Sequence, residues 1–178
     1  MTRATPSADA ASPRAAIRRA CPRDLDRVVT LWIGLTEHHA ALEPRFALRA
    51  GAENDVGRLI GAQLRDPDVA IFVHEASDAA PSVPGPHPAL SGFCAVRIDR
   101  APPILQETRR AEITDLGVSA VARRGGIGRE LVAAAFAWAK DRGIARLEVR
   151  VAARNREGQA FWRSLGFDDL MDILHRPL

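Results

Sequence analysis

The chain has 178 residues, 47% of them hydrophobic and 26% charged, with 25 basic residues against 22 acidic for a formal charge of +3. That is enough for one sizeable core and too little for two ordinary domains, and it excludes fibrous, collagen-like and fully disordered chains. The basic excess is mild and almost wholly arginine, Lys140 being the single lysine, and it forms neither the dense basic stripe of a nucleic-acid binder nor the long apolar run of a membrane span.

Residues 1–13, rich in Ala, Thr, Ser, Pro and Asp, read as a disordered tail without the apolar stretch of a secretory signal. Residues 14–178 read as a single domain. It opens with a strand over 14–21, centred on Ile17. Pro22, Arg23 and Asp24 then turn the chain into a helix over 25–41, where Leu25, Val28, Val29, Trp32, Ile33 and Leu35 recur at spacings of three and four. Pro44 ends it. A second amphipathic helix over 54–64 carries Val56, Leu59, Ile60 and Leu64 and stops at Asp66-Pro67.

The period then changes. Short apolar strands occupy 69–75 and 90–98, joined by a long hairpin loop over 77–89 that contains four prolines. Ile113, Leu116 and Val118 mark a buried strand over 108–118 with a local irregularity. A helix follows over 131–140, then a strand over 145–153 alternating Leu147, Val149 and Val151, a last short helix over 156–164, and one or two closing strands over 167–178. Antiparallel strands followed by a strand-helix-strand-helix-strand unit give an α/β (α+β) fold, a mixed sheet flanked by helices.

Cys21 and Cys94 read as reduced thiols, which sets a cytoplasmic expectation. His38, His39, His74, His87 and His175 accompany no cysteine pair and no His-Glu-x-x-His helix, so no metal site is expected.

The informative segment is 116–131. A buried strand ends at Leu116-Gly117-Val118, and Gly125, Gly126 and Gly128 stand where a helix must begin. Glycine lets backbone amides approach a ligand, and a helix start offers unpaired amides at the positive end of the dipole. Arg123, Arg124 and Arg129 add charge, so the expected guest is a phosphate or diphosphate. A dinucleotide fingerprint would need G-x-G-x-x-G, and a P-loop needs Lys then Ser or Thr after its last glycine, where Arg129 and Glu130 stand. The remaining alternative is a purely structural bend.

Arg123-x-x-Gly126-x-Gly128 resembles the R/Q-x-x-G-x-G/A signature of the GNAT superfamily, the N-acetyltransferases that use acetyl-coenzyme A. Residues 155–167 resemble its second hallmark: Asn155 opens a helix, the aromatic Trp162 follows seven positions later, and Gly166-Phe167 comes next. Residues 112–118 resemble the strand before the signature. The resemblance implies a mostly antiparallel central sheet and transfer of an acetyl group from acetyl-coenzyme A directly to an amine on a small molecule or protein, with a homodimer possible and neither nucleic acid nor membrane as partner. It also implies site roles. The segment Leu116, Gly117, Val118 would line the pantetheine arm, its backbone reaching the thioester. Arg123, Arg124, Gly125, Gly126, Ile127, Gly128 and Arg129 would hold the diphosphate. Asn155 would bond the pantetheine or cap its helix, and Trp162 would contact the acyl chain or pack.

Transfer to an amine needs a base: with an ammonium pKa near 10.4, roughly one molecule in 2,500 is neutral at pH 7, worth about 4.6 kcal/mol. Glu112 is the first expectation for that role and Asp115 the second, the two facing opposite sides of an ordinary strand. His38 and His39 fall in the region that lines the acceptor pocket in resembling proteins. Such proteins commonly protonate the departing thiolate with a tyrosine in the position held here by Trp162, and this chain has no tyrosine. Ser164 could take the role, or the thiolate could leave unaided. A non-catalytic acyl-coenzyme A binding or sensor protein is the alternative reading, and a nucleic-acid module using surface arginines a third.

Overall fold

The computed structural model describes residues 17–76 and 89–176. The tail expected over 1–13 and nearly all of the loop expected over 77–89 lie outside these residues. β1 (Ile17–Arg19) ends before Pro22, which cannot extend a strand ladder. Asp24 then pins the turn. Its carboxylate accepts from the Cys21 amide at 2.9 Å and from both terminal nitrogens of Arg18 at 2.7 and 2.9 Å. From that fixed point α1 (Leu25–Leu42) runs to Pro44, and α2 (Glu53–Gln63) packs beside it.

The sheet is β1, β2 (Val69–Glu75), β3 (Leu90–Arg100), β4 (Arg109–Val118) and β5 (Leu147–Val149), in that spatial order. The first three pairings are antiparallel and β4–β5 is parallel, with α3 (Ile127–Asp141) making the crossover that parallel strands require. Val28, Val56 and Ile60 of α1 and α2 bury one face against Ile71, Val73, Phe93 and Ala95. Leu131, Val132, Ala135 and Trp138 of α3 bury the other against Cys94, Val96, Ile98, Ala111 and Ile113. Covered on both faces, β2 and β3 read in sequence as continuous apolar runs.

One register shift positions the site. Ala95 pairs with Asp115, but Val96 pairs with Ile113, so Thr114 is an extra residue on β4. Its hydroxyl donates to the Ala95 carbonyl at 3.5 Å. This bulge is the irregularity expected in the strand, and such insertions bend and twist the strand that carries them. β5 accordingly pairs only with Ala111–Ile113.

Two expectations need correction. The strand over 145–153 is cut to Leu147–Val149: Leu147, Val149 and Val151 do pack on the core in alternation, but β4 turns away after Ile113 and leaves the later residues without a ladder partner. No strand forms among residues 167–176 either. Phe167 packs edge-to-face on Trp162, and Leu170, Met171, Ile173 and Leu174 beyond it are exposed and pair with no edge. A strand needs a neighbour, and none is presented to this segment.

Candidate active site

Beyond Thr114, β4 has β3 on one side and an opening on the other. The Ser119 amide donates to the Ser91 carbonyl across β3 at 2.8 Å. Backbone direction alternates along an antiparallel ladder, so Gly117 and Asp115 also bond towards β3 while Leu116 and Val118 turn their amides and carbonyls into the opening. The Val118 carbonyl accepts there from Arg123 Nε at 3.2 Å. Gly117 fits because a Cβ would come within 2.6 Å of the fully buried Phe93 ring.

The glycine-rich turn sits at the end of this opening. Arg124 has φ 66° and Gly126 φ 86°, the left-handed region that a glycine adopts freely and an arginine does not. Two successive reversals start α3 abruptly at Ile127. Among the described residues, the amides of Arg124, Gly126, Ile127 and Gly128 donate to no protein acceptor. Gly128 leaves room for Phe161 of α4 (Arg156–Arg163), whose ring would lie 3.4 Å from an added Cβ, with a Val118 methyl at 3.9 Å. Strand end, helix start and α4 therefore converge on one anion-ready corner. Arg123 and Arg129 flank it, and Arg124 lies 3.8 Å from Glu157.

Asn155 caps α4, its Oδ1 accepting from the Gly158 amide at 2.8 Å. Trp162 is buried between Phe161 and Phe167, with ring centroids 5.1 and 5.2 Å away. The Ser164 hydroxyl donates to the Phe161 carbonyl at 2.7 Å, the geometry of a helix-end cap. Its proton is committed to that bond.

The carboxylates differ from expectation in a way the bulge explains. Glu112 pairs with Arg97 and Asp115 with Ala95, two residues apart on β3, so the extra residue brings Glu112 and Asp115 onto the same face, the one covered by α1. The two oxygens of Glu112 are both engaged, one by Arg97 at 2.7 Å and the other by Arg150 at 3.1 Å. Only 5% exposed, Glu112 is the hub of an ion-pair network. Asp115 lies close to Trp32 of α1 and to Thr114, and burial pushes its carboxyl above the usual range, against the lowering influence of those side chains and the positive field of His39 and Arg97. His39, two turns after Trp32 on α1, is lowered by burial and by His38, with Asp115 opposing. A desolvated carboxyl in the field of an imidazole lowered by its own burial is a candidate proton acceptor. Sequence reasoning ranked Asp115 second and preferred His39 to His38 for the acceptor pocket only by its place near the end of the helix; Trp32 escaped it altogether, since its spacing reads as core.

At the mouth of this face, Glu43 accepts from Arg45 at 2.8 and 2.9 Å and meets Arg154 at 3.3 Å, and these guanidiniums pull its carboxyl down to about 2. Among the described residues no cluster of His, Cys, Asp and Glu could hold a metal ion, and no helix is long and apolar enough to cross a membrane.

Residues 40–167 match the model of the acetyltransferase (GNAT) family. No curated protein matches the chain. Among solved structures it is similar to the tetramutant of the BH1408 protein from Bacillus halodurans, with TM-score 0.75 and 21% identity over 92% of this chain and 99% of that one. It is also similar to the aminoglycoside N-acetyltransferase AAC(6')-Iy in complex with CoA, with TM-score 0.67 and 19% identity over 93% and 97% of the two chains. The aminoglycoside 6'-N-acetyltransferase AAC(6')-IG from Acinetobacter haemolyticus gives TM-score 0.66 and 17% identity over 92% and 97%. At these identities the likeness shows the fold alone.

Proposed function

The chain belongs to the acetyltransferase (GNAT) family, and from that premise we propose that it transfers an acetyl group from acetyl-coenzyme A directly to an amine. The observation that carries this reading is the bulge at Thr114, which opens β4 from β5 beside a helix start whose amides are unpartnered. The corner suits the cosubstrate. Amides of residues 124–128, with Arg123 and Arg129, would hold its diphosphate, and Leu116 and Val118 offer backbone donors and acceptors to an extended arm lying in the opening. Bound there, it supplies an activated acetyl group on sulfur.

The chain's own residues handle the proton and the charge. Asp115, with His39 beside it, takes the proton that the acceptor ammonium must lose before nitrogen can attack. The amides of Leu116 and Val118 are the donors available to the carbonyl oxygen as negative charge grows on it. No tyrosine exists to protonate the leaving sulfur, and the Ser164 proton is bonded elsewhere. A thiol with a pKa near 8.5 leaves readily as thiolate, so the reaction proceeds without a dedicated acid.

The test is acetyl-coenzyme A dependent product formation, read by mass spectrometry on a panel of amines, alongside hydrogen exchange. Acetylated product together with slowed exchange over residues 123–131 is expected. Slowed exchange without product on any amine would instead identify a non-catalytic acyl-coenzyme A sensor, and unchanged exchange at saturating cosubstrate would remove the site assignment.

A further inference from the structure

We infer that the acceptor is a small amino carboxylic acid, its carboxylate held by Arg150 and Arg154 while its amine faces Asp115. This rests on the acetyltransferase reading and names the substrate class for that same site.

The direction of approach follows from the fold. On the α3 face the opening is backed by core: Leu116 and Val118 pack with Phe161 and α3. Asp115 lies on the other face, against Trp32 and His39 of α1. An amine served by Asp115 therefore enters on the α1 face, which the end of α1 and the segment that follows β5 border where Arg154 meets Glu43. Arg150 and Arg154 stand on that segment, four residues apart.

The two arginines are paired from opposite walls. Arg150 Nε pairs with Glu112 of β4 at 3.1 Å, and one terminal nitrogen of Arg154 with Glu43, just past α1, at 3.3 Å. Their side chains are otherwise 66% and 67% exposed, and the other guanidinium nitrogens meet no protein partner among the described residues. Each is a guanidinium with donors to spare, the group that binds a carboxylate through paired N–H bonds.

The carboxylates at the same mouth have no such reserve. Glu112 is compensated by Arg97 and Arg150 and Glu43 by Arg45 and Arg154, and both carboxylates are little exposed. Asp115 alone is left to face an ammonium, and its burial disfavours a standing negative charge. A polyamine or aminoglycoside brings several positive charges and would find one partner. An amino acid brings one ammonium and one carboxylate, and finds a partner for each.

The full chain would be assayed for coenzyme A release with L-amino acids, the matching carboxamides, spermidine and an aminoglycoside, rates being referred to the neutral amine present at each pH. Free acids should exceed their carboxamides by about tenfold or more in kcat/KM, as a charge-assisted bidentate contact predicts. Arg154→Gln, which leaves Glu43 bonded to Arg45, should raise KM for the free acids by about tenfold, leave KM for the carboxamides within about twofold, and not change coenzyme A affinity. Carboxamides or polycations used as well as or better than free acids would overturn this inference and leave the acetyltransferase reading standing. So would an Arg154→Gln protein whose KM for free acids is unmoved. No turnover of any amine by a protein that binds coenzyme A would overturn the acetyltransferase reading, and this inference with it.

Discussion

Under the proposed mechanism, two carboxylates three residues apart take opposite roles because their surroundings differ. Glu112 accepts from two guanidiniums and has no oxygen left for a substrate proton, whereas Asp115 is desolvated and meets no guanidinium directly. Asp115→Asn should therefore lower kcat/KM by about 100-fold, the scale of general base catalysis. The sign of its stability effect is opposite. A carboxyl whose folded pKa is raised weakens the fold as pH climbs from its unfolded value through the folded one, so at neutral pH the variant should melt no lower than wild type. Calorimetry with steady-state rates checks both halves, and a variant equally active at every pH would remove Asp115 from the chemistry. Trp162 belongs to the same scale. Buried between two phenylalanines, it contributes packing, and Trp162→Phe should cost turnover less than about tenfold. A hundredfold loss in single-turnover transfer, with normal folding and binding, would contradict that.

The elements explain which parts of this arrangement could be read from sequence. Ile113, Leu116 and Val118 already break strict alternation, because an odd spacing between inward residues requires one extra residue on the strand. The irregularity was legible; its consequence for Glu112 and Asp115 was not, since that depends on which residue bulges. The glycine-rich turn was legible because Gly126 and the arginines encode a local conformation. The pairing of α1 with Asp115 was not, since Trp32 and His39 lie far off in sequence and carry no pattern distinguishing a site from a core. The closing strands failed for a related reason: apolar residues over 170–174 announce burial, but a ladder partner is a property of the whole sheet. If the bulge makes the opening, deleting Thr114 should let β4 run straight with its register to β3 intact. The variant should then fold cooperatively yet bind coenzyme A at least about tenfold more weakly, since a paired strand no longer offers its backbone to a ligand. Isothermal titration with a thermal melt decides this, and unchanged affinity would separate the opening from the cosubstrate site. Gly125→Asp tests the turn independently. Its backbone is not left-handed and an added Cβ meets only the Ala122 carbonyl at 3.5 Å, so a loss of affinity would come from charge facing the diphosphate and not from strain.

At the scale of the molecule, the site depends on α1 being held at a fixed angle across the sheet, and that angle is set at its opposite end. Asp24 is fully buried and receives Arg18 of β1, Arg27 of α1 and the Cys21 amide, while Arg18 continues to Glu75 of β2 at 2.7 Å. One carboxylate thus ties the edge of the sheet to the first turn of the helix whose far end carries His39. Arg18 chiefly, and the Cys21 amide with it, hold the Asp24 carboxyl far below the usual range against the cost of burial. With the folded pKa depressed, its stabilisation is present above the unfolded value near 3.9 and is lost as pH falls below it towards the folded value. Asp24→Asn keeps the shape but removes the negative charge that Arg18 and Arg27 share, and losing one partner of a buried ion pair costs about 3 kcal/mol at neutral pH. Denaturant titrations from pH 7 to pH 2 should show that gap from wild type narrowing only below about pH 4, as wild type itself becomes protonated. Because the same anchor orients α1, the variant should also raise KM for the acceptor while leaving coenzyme A affinity nearly unchanged, as the proposed cosubstrate corner is built from β4, α3 and α4. Equal losses at both sites would mean that Asp24 supports the domain as a whole and not the placement of α1.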